Sequence, residues 1–104
     1  MATRRRTVVW SVSAQQGLDD ALAYVASDSL QRAQAIARKT LEAADSLALL
    51  SERGRLVPET QDPTIREIFI YSYRLLYRVG DSQVTVLAFI HGARDFERWR
   101  REEP

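Results

Sequence analysis

The chain of 104 residues contains no cysteine, one histidine and one lysine. Without cysteine there is no disulfide framework, no thiolate zinc site, no iron–sulfur cluster and no cysteine nucleophile. A metal site would have to be assembled from His91 and carboxylates, and no acidic loop of the EF-hand kind is present, so neither a metal nor another cofactor is expected. Long apolar runs are also missing. The basic start MATRRR leads into a short strand-like stretch rather than the roughly 7–15 apolar residues of a signal peptide, so the expectation is a cytoplasmic protein with no membrane association. Glycine and proline are sparse, at 4 and 3, and no repeat or low-complexity segment separates parts of the chain. A chain of this size buries about 65% of its unfolded surface, and 45% hydrophobic content can fill one core, so residues 1–104 read as a single domain.

Charge is nearly balanced, with 15 basic and 14 acidic side chains. The balance conceals an imbalance of kind. Lys39 is the one lysine and every other basic residue is arginine, so almost all the positive charge is permanent, planar and unable to release a proton near neutral pH. Arg4–Arg6 reads as a flexible basic start, and Glu102-Glu103-Pro104 as a flexible end. Between positions 66 and 94, Arg66, Arg74, Arg78 and Arg94 are opposed by Glu67 and Asp81 alone.

Periodicity divides the chain. Thr7–Val12 is β-branched and aromatic, a short first strand. Ser13 with Gln16 forms a capping box, and Leu18, Ala21, Leu22 and Val25 at helical spacing predict a helix over 14–27. Asp28 with Gln31 opens a second helix, over 29–51, with Ala33, Ile36, Ala37, Thr40, Ala44, Leu47 and Ala48 on one stripe and Gly54 as its stop. The two helices are separated by little more than a cap and must fold back as an antiparallel hairpin. Pro58 and Pro63 mark 55–64 as a loop. Three strands follow: Ile65–Ile70, Tyr73–Val79 and Gln83–His91. The second alternates, Tyr73, Leu75, Tyr77 and Val79 against Arg74, Leu76 and Arg78. In the third, Val84, Val86, Ala88 and Ile90 are expected on one face and Thr85, Leu87, Phe89 and His91 on the other. Asp95–Arg101 suits a short C-terminal helix. The expectation is an α+β domain of order β-α-α-β-β-β, with the helix hairpin covering one face of an antiparallel meander. The face carrying Arg74 and Arg78 is expected to be partly open to a partner.

This order, with "GRLVPE" (54–59), "IREI" (65–68), "YRLLYRV" (73–79) and "VTVLAFIHGARDF" (84–96), resembles the RelE/ParE superfamily of bacterial type II toxin–antitoxin toxins. The resemblance covers residues 7–99. It implies a growth-inhibiting toxin, encoded by a plasmid or chromosomal module, held inactive in a hetero-oligomer by a cognate antitoxin, ParD-like or other. The antitoxin's C-terminal segment would wrap the toxin, and its N-terminal part would bind operator DNA.

The superfamily has two activities. RelE-like toxins cleave mRNA on the ribosome, whereas ParE-like toxins poison DNA gyrase. Cleavage by the RNA's own 2′-hydroxyl needs a base, an acid and cations around the phosphorane. The RelE-like pattern implies arginines at Arg74 and Arg94, but also lysines on the strand that here carries Arg66 and Glu67, and a tyrosine where the terminal segment offers Phe96 and Trp99. A YoeB-like set of Glu59, Arg74 and His91 is present, but the final tyrosine is again missing. Arginine stabilises charge and is a poor acid or base, so the favoured reading is a gyrase-directed binder without an active site. The alternative is an mRNA endoribonuclease using His91, Arg74, Arg94 and Glu59. For the binder, Arg66, Arg74, Arg78, Arg94 and Trp99 are the expected contacts to antitoxin or target. Glu59, which follows Pro58 in a loop, suits a hydrogen bond anchoring that loop better than it suits catalysis, and Trp10, Tyr24 and Tyr77 read as core or core-edge.

Overall fold

The computed structural model describes residues 4–102, the side chains of residues 93 and 94 excepted. The chain begins with β1 (Thr7–Trp10), and Ser11 turns it at once into α1 (Val12–Ala26). Ser11, rather than the expected Ser13, is the cap: its side chain accepts from the Ala14 amide at 3.0 Å. Its own amide donates to the Val86 carbonyl at 2.9 Å, so a tertiary bond sets where the helix starts. Gln16, expected to complete a box with Ser13, donates to Asp20 instead. Ser29 likewise replaces Asp28 as the cap of α2 (Leu30–Ser46), accepting from Arg32 at 3.1 Å. This helix ends earlier than expected. Leu47 caps it, turns closed by hydrogen bonds between residues three apart follow, and Gly54 is no helix stop: its amide donates to the Tyr77 hydroxyl at 2.9 Å.

Four further strands and a helix complete the chain: β2 (Arg55–Leu56), β3 (Ile65–Ile70), β4 (Tyr73–Val79), β5 (Gln83–His91) and α3 (Gly92–Glu102). β2 lies inside the segment expected to be loop. It precedes Pro58 and pairs Arg55 with Glu67 and Leu56 with Arg66, so the prolines restrict the rest of the connection but not its start. The sheet order is β1-β5-β4-β3-β2, with β1 parallel to β5 and the other pairs antiparallel. The α+β architecture and element order expected from the sequence are those observed, with β2 added.

The α1–α2 hairpin covers one face, where Leu18, Val25 and Ile36 pack against Ile70, Leu75, Val86 and Phe89. Gly17 permits this contact, because a Cβ there would overlap the Phe89 carbonyl oxygen. On the other face Leu76, Ile65 and Ala88 pack beneath Val57 and Phe96. α3 and the β2–β3 connection therefore close the face expected to be open.

β4 alternates as its sequence predicts, but β5 does not. Leu76 pairs with Ala88 and Tyr77 with Val86, leaving Leu87 as a bulge. One extra residue inverts the phase of all that follows. Val84 and Val86 face the helices as expected, but so do Phe89 and His91, while Ala88 and Ile90 turn to the α3 face. The basic start is also less free than its composition suggests. Arg4 donates to the Asp81 carbonyl, and Arg6 to the Gly80 carbonyl and the Ser51 hydroxyl, which fastens Arg4 and Arg6 to the β4–β5 turn and Arg6 also to the segment after α2.

Candidate functional site

Antiparallel pairing sets Glu67 of β3 and Arg74 of β4 diagonally on the face that α3 covers. The Arg74 Nε donates to Glu67 at 2.6 Å, and its two terminal nitrogens reach both oxygens of Glu59 at 2.9 and 2.8 Å. Arg55 donates to the other Glu67 oxygen at 2.6 Å. The Phe96 ring lies 4.9 Å from the Arg74 guanidinium carbon, closing the cluster from above. Arg74 is 6% exposed and Glu67 1%, and the cluster as a whole is neutral, two guanidiniums against two carboxylates. The bidentate hydrogen bond from Arg74 holds the Glu59 carboxyl below its ordinary range, and the same bond pushes the Arg74 pKa upward. Among the described residues, no buried side-chain polar atom lacks a partner.

The remaining expected site residues are dispersed. Arg66 leaves β3 on the helix side and donates to the Gly54 carbonyl at 2.7 Å, with Glu52 3.5 Å away. It does not pair with Glu59 or Glu67. Arg78 is half-exposed beside Asp62 at 3.7 Å. The roles expected of Arg94 lie outside the described residues. Trp99 packs on Phe96, with ring centroids 5.6 Å apart, and lines a cleft between α1 and α3.

His91 ends β5 on the helix side, with its ring edge against Tyr73 at 5.0 Å. Arg74 and Glu59 lie on the other side of the sheet. The trio a nuclease would need to converge is thus divided by a β-sheet. Asp95 accepts from the His91 amide at 3.3 Å and caps the turn into α3. Tyr24, expected at the core edge, is 79% exposed and lines the same cleft as His91. Sequence reasoning missed it because Tyr24 neighbours the buried stripe ending at Val25. Among the described residues no group of acidic or histidine side chains could hold a metal ion, and no helix is long and apolar enough to cross a membrane.

The family model of the ParE toxin of type II toxin–antitoxin systems (parDE) matches residues 8–96. Toxin RelE2 of Caulobacter vibrioides is 36% identical over 88 residues, spanning 84% of this chain and 96% of that toxin. A chain of the chromosomal ParDE toxin–antitoxin system from P. aeruginosa has a TM-score of 0.68 at 17% identity, covering 86% of this chain and 98% of its own. A chain of the toxin–antitoxin complex RelBE2 from Mycobacterium tuberculosis has a TM-score of 0.51 at 21% identity, covering 86% and 94%. These two structures share the fold. The chain belongs to the ParE toxin family: it is a toxin of a type II toxin–antitoxin system, and its partner is an antitoxin.

Proposed function

We propose that this toxin acts by binding DNA gyrase and has no active site of its own, that its antitoxin neutralises it, and that it reaches operator DNA only through that antitoxin. The observation that carries the reading is the burial of Arg74 between Glu59 and Glu67, across the sheet from His91. Phosphoryl-transfer catalysis on RNA needs an accessible cation and proton-transfer groups around one phosphate. Arg74, the arginine at the nuclease-like position, belongs to a neutral, satisfied cluster beneath Phe96. Freeing it would leave Glu67 buried with the half-exposed Arg55 as its remaining partner. The rival reading, a ribosome-dependent mRNA endonuclease, draws on the name RelE2 of the 36%-identical toxin.

The test is a supercoiling assay with purified gyrase, run beside cleavage of mRNA on programmed ribosomes. Gyrase inhibition with accumulation of cleaved DNA, and intact mRNA, is the expected result. Ribosomal A-site cuts that vanish in His91→Ala would overturn it.

A further inference from the structure

The start of the chain, the segment after α2 and the β4–β5 turn meet at one end of the sheet, where the Arg6 amide donates to the Ala48 carbonyl and the Thr7 amide to that of Ser82. Guanidiniums gather there. Arg4 is held by the Asp81 carbonyl at 2.9 Å, Arg6 by the Gly80 carbonyl at 2.8 Å and the Ser51 hydroxyl at 3.0 Å, and Arg53 by the Ser46 hydroxyl at 2.9 Å. Arg5, between Arg4 and Arg6 in the chain, is exposed.

The kind of partner sets these arginines apart. Most of the described arginines form an ion pair with a carboxylate, from Arg32 with Asp28 to Arg100 with Glu97. Among the described residues Arg4, Arg5, Arg6 and Arg53 form none; Arg101, in the last turn of α3, is the other such arginine. A carbonyl or hydroxyl orients a guanidinium without neutralising it and leaves most of its N–H donors for a further acceptor. The described carboxylates at this end without an ion pair are those of Asp45 and Asp81, since Glu52 is engaged by Arg66. The carboxyl end of α2 adds only about half a negative charge. Residues 1–3 bring no charged side chain, and Arg94 and Glu103 both follow the far end of β5. Positive charge is therefore in surplus.

Fixed cations oriented by neutral contacts suit a partner with closely spaced anions. Single-stranded nucleic acid is gripped by rings on which its bases stack, but the exposed large apolar side chains here are Leu49 and Leu50, while the exposed rings of Tyr24, Phe69 and Tyr71 lie toward the opposite end of the sheet. We propose that this end of the toxin binds the phosphate backbone of duplex DNA, and that during inhibition the duplex is the one gyrase holds. That source of the duplex rests on the gyrase reading. Phosphate contacts read no base sequence, so recognition of the operator stays with the antitoxin.

The test is fluorescence anisotropy of the full-length toxin with a short labelled duplex, titrated at several salt concentrations. Native toxin is expected to lose affinity steeply with salt, and equally on unrelated sequences. Arg4→Gln with Arg5→Gln and Arg53→Gln is expected to weaken binding about tenfold at low salt and to lower the slope of log affinity against log salt by about one per arginine removed. These three side chains are exposed, and unchanged thermal melting confirms that the variant folds. Arg32→Gln with Arg38→Gln and Arg98→Gln removes the same charge from ion-paired, exposed positions and is expected to leave the slope unchanged. A slope that both variants lower alike, tighter binding to a single strand of the same length, or displacement of the duplex by a Glu-rich peptide of equal charge would each overturn the surface. With gyrase present, the Arg4, Arg5 and Arg53 variant is expected to need about tenfold more protein for the same amount of cleaved DNA; unchanged potency would overturn the contact with gyrase-held DNA. The binding measurement contains no gyrase, so a native toxin that binds duplex but leaves supercoiling intact overturns the gyrase reading and not the surface.

Discussion

The Arg74 Nε and a Glu67 oxygen lie 2.6 Å apart on neighbouring strands, with scarcely any solvent reaching either side chain. Removing one partner from such a pair strands the other as an uncompensated buried charge. Arg74→Ala is therefore expected to destabilise the fold by about 3–5 kcal/mol, and Glu67→Ala similarly, as measured by urea denaturation. Replacing both by apolar residues of matched volume is expected to restore most of the loss. A single substitution costing under about 1 kcal/mol would contradict this account.

Glu59 gives the same cluster a pH dependence. Its carboxyl is held below the ordinary 4.5 by the hydrogen bond from Arg74, so the folded state binds that proton less readily than the unfolded chain does. The resulting stabilisation is complete above the unfolded value and is lost as pH falls through the lowered folded one. Melting temperature is expected to drop more steeply below pH 4.5 in the native chain than in Glu59→Gln. Parallel profiles would refute the linkage.

Tyr77 is buried, and burial pushes its phenol pKa upward. Its hydroxyl accepts from the Gly54 amide, which has little access to water. Tyr77→Phe leaves that donor unpaired and is expected to cost about 1–3 kcal/mol in chemical denaturation, together with faster hydrogen exchange at Gly54.

Gly17 opposes two effects that can be compared. Alanine in a helix interior is favoured over glycine by about 1 kcal/mol. A Cβ at this position overlaps the Phe89 carbonyl, and because that oxygen is backbone, α1 as a whole must move away. Overpacking of this kind costs about 1–3 kcal/mol, so Gly17→Ala is expected to lower the melting temperature despite the gain in propensity.

On the binding-toxin reading, His91→Ala leaves growth inhibition intact, since the imidazole lines a groove and transfers no proton. Induced expression without the antitoxin, compared with the native toxin at equal abundance, checks this. Loss of toxicity in a variant that still folds would favour the nuclease.

The parts legible in the sequence were those fixed by local pattern. The stripe from Ala33 to Leu47 gave α2, and the alternation from Tyr73 to Val79 gave β4 with its faces. What escaped depends on residues far apart in the chain. Ser13 obeys the capping rule, yet Ser11 is the cap because the Val86 carbonyl holds its amide. Arg74 looked like an exposed cation because its partner Glu59 lies 15 residues earlier in an irregular connection, and Phe96 lies 22 residues later. No periodicity links such positions. Tyr24 looked like core because a helical stripe has no sharp border. The dispersal of Arg66, Arg74 and Arg78 over two faces was implicit in strand alternation, but their partners were not.

The bulge at Leu87 makes β5 two half-strands in opposite phase. Its first half, with Val84 and Val86, helps build the core under the helices, and its second half delivers Phe89 and His91 to the cleft between α1 and α3. Deleting Leu87 would bring the strand back into simple alternation and exchange the inner and outer surfaces of everything after it, setting Ala88 and Ile90 against α1. That one unpaired residue acts as a phase joint. Phe89 beyond it still serves the core, and the change of phase places the exposed His91 at the strand's end on the same side.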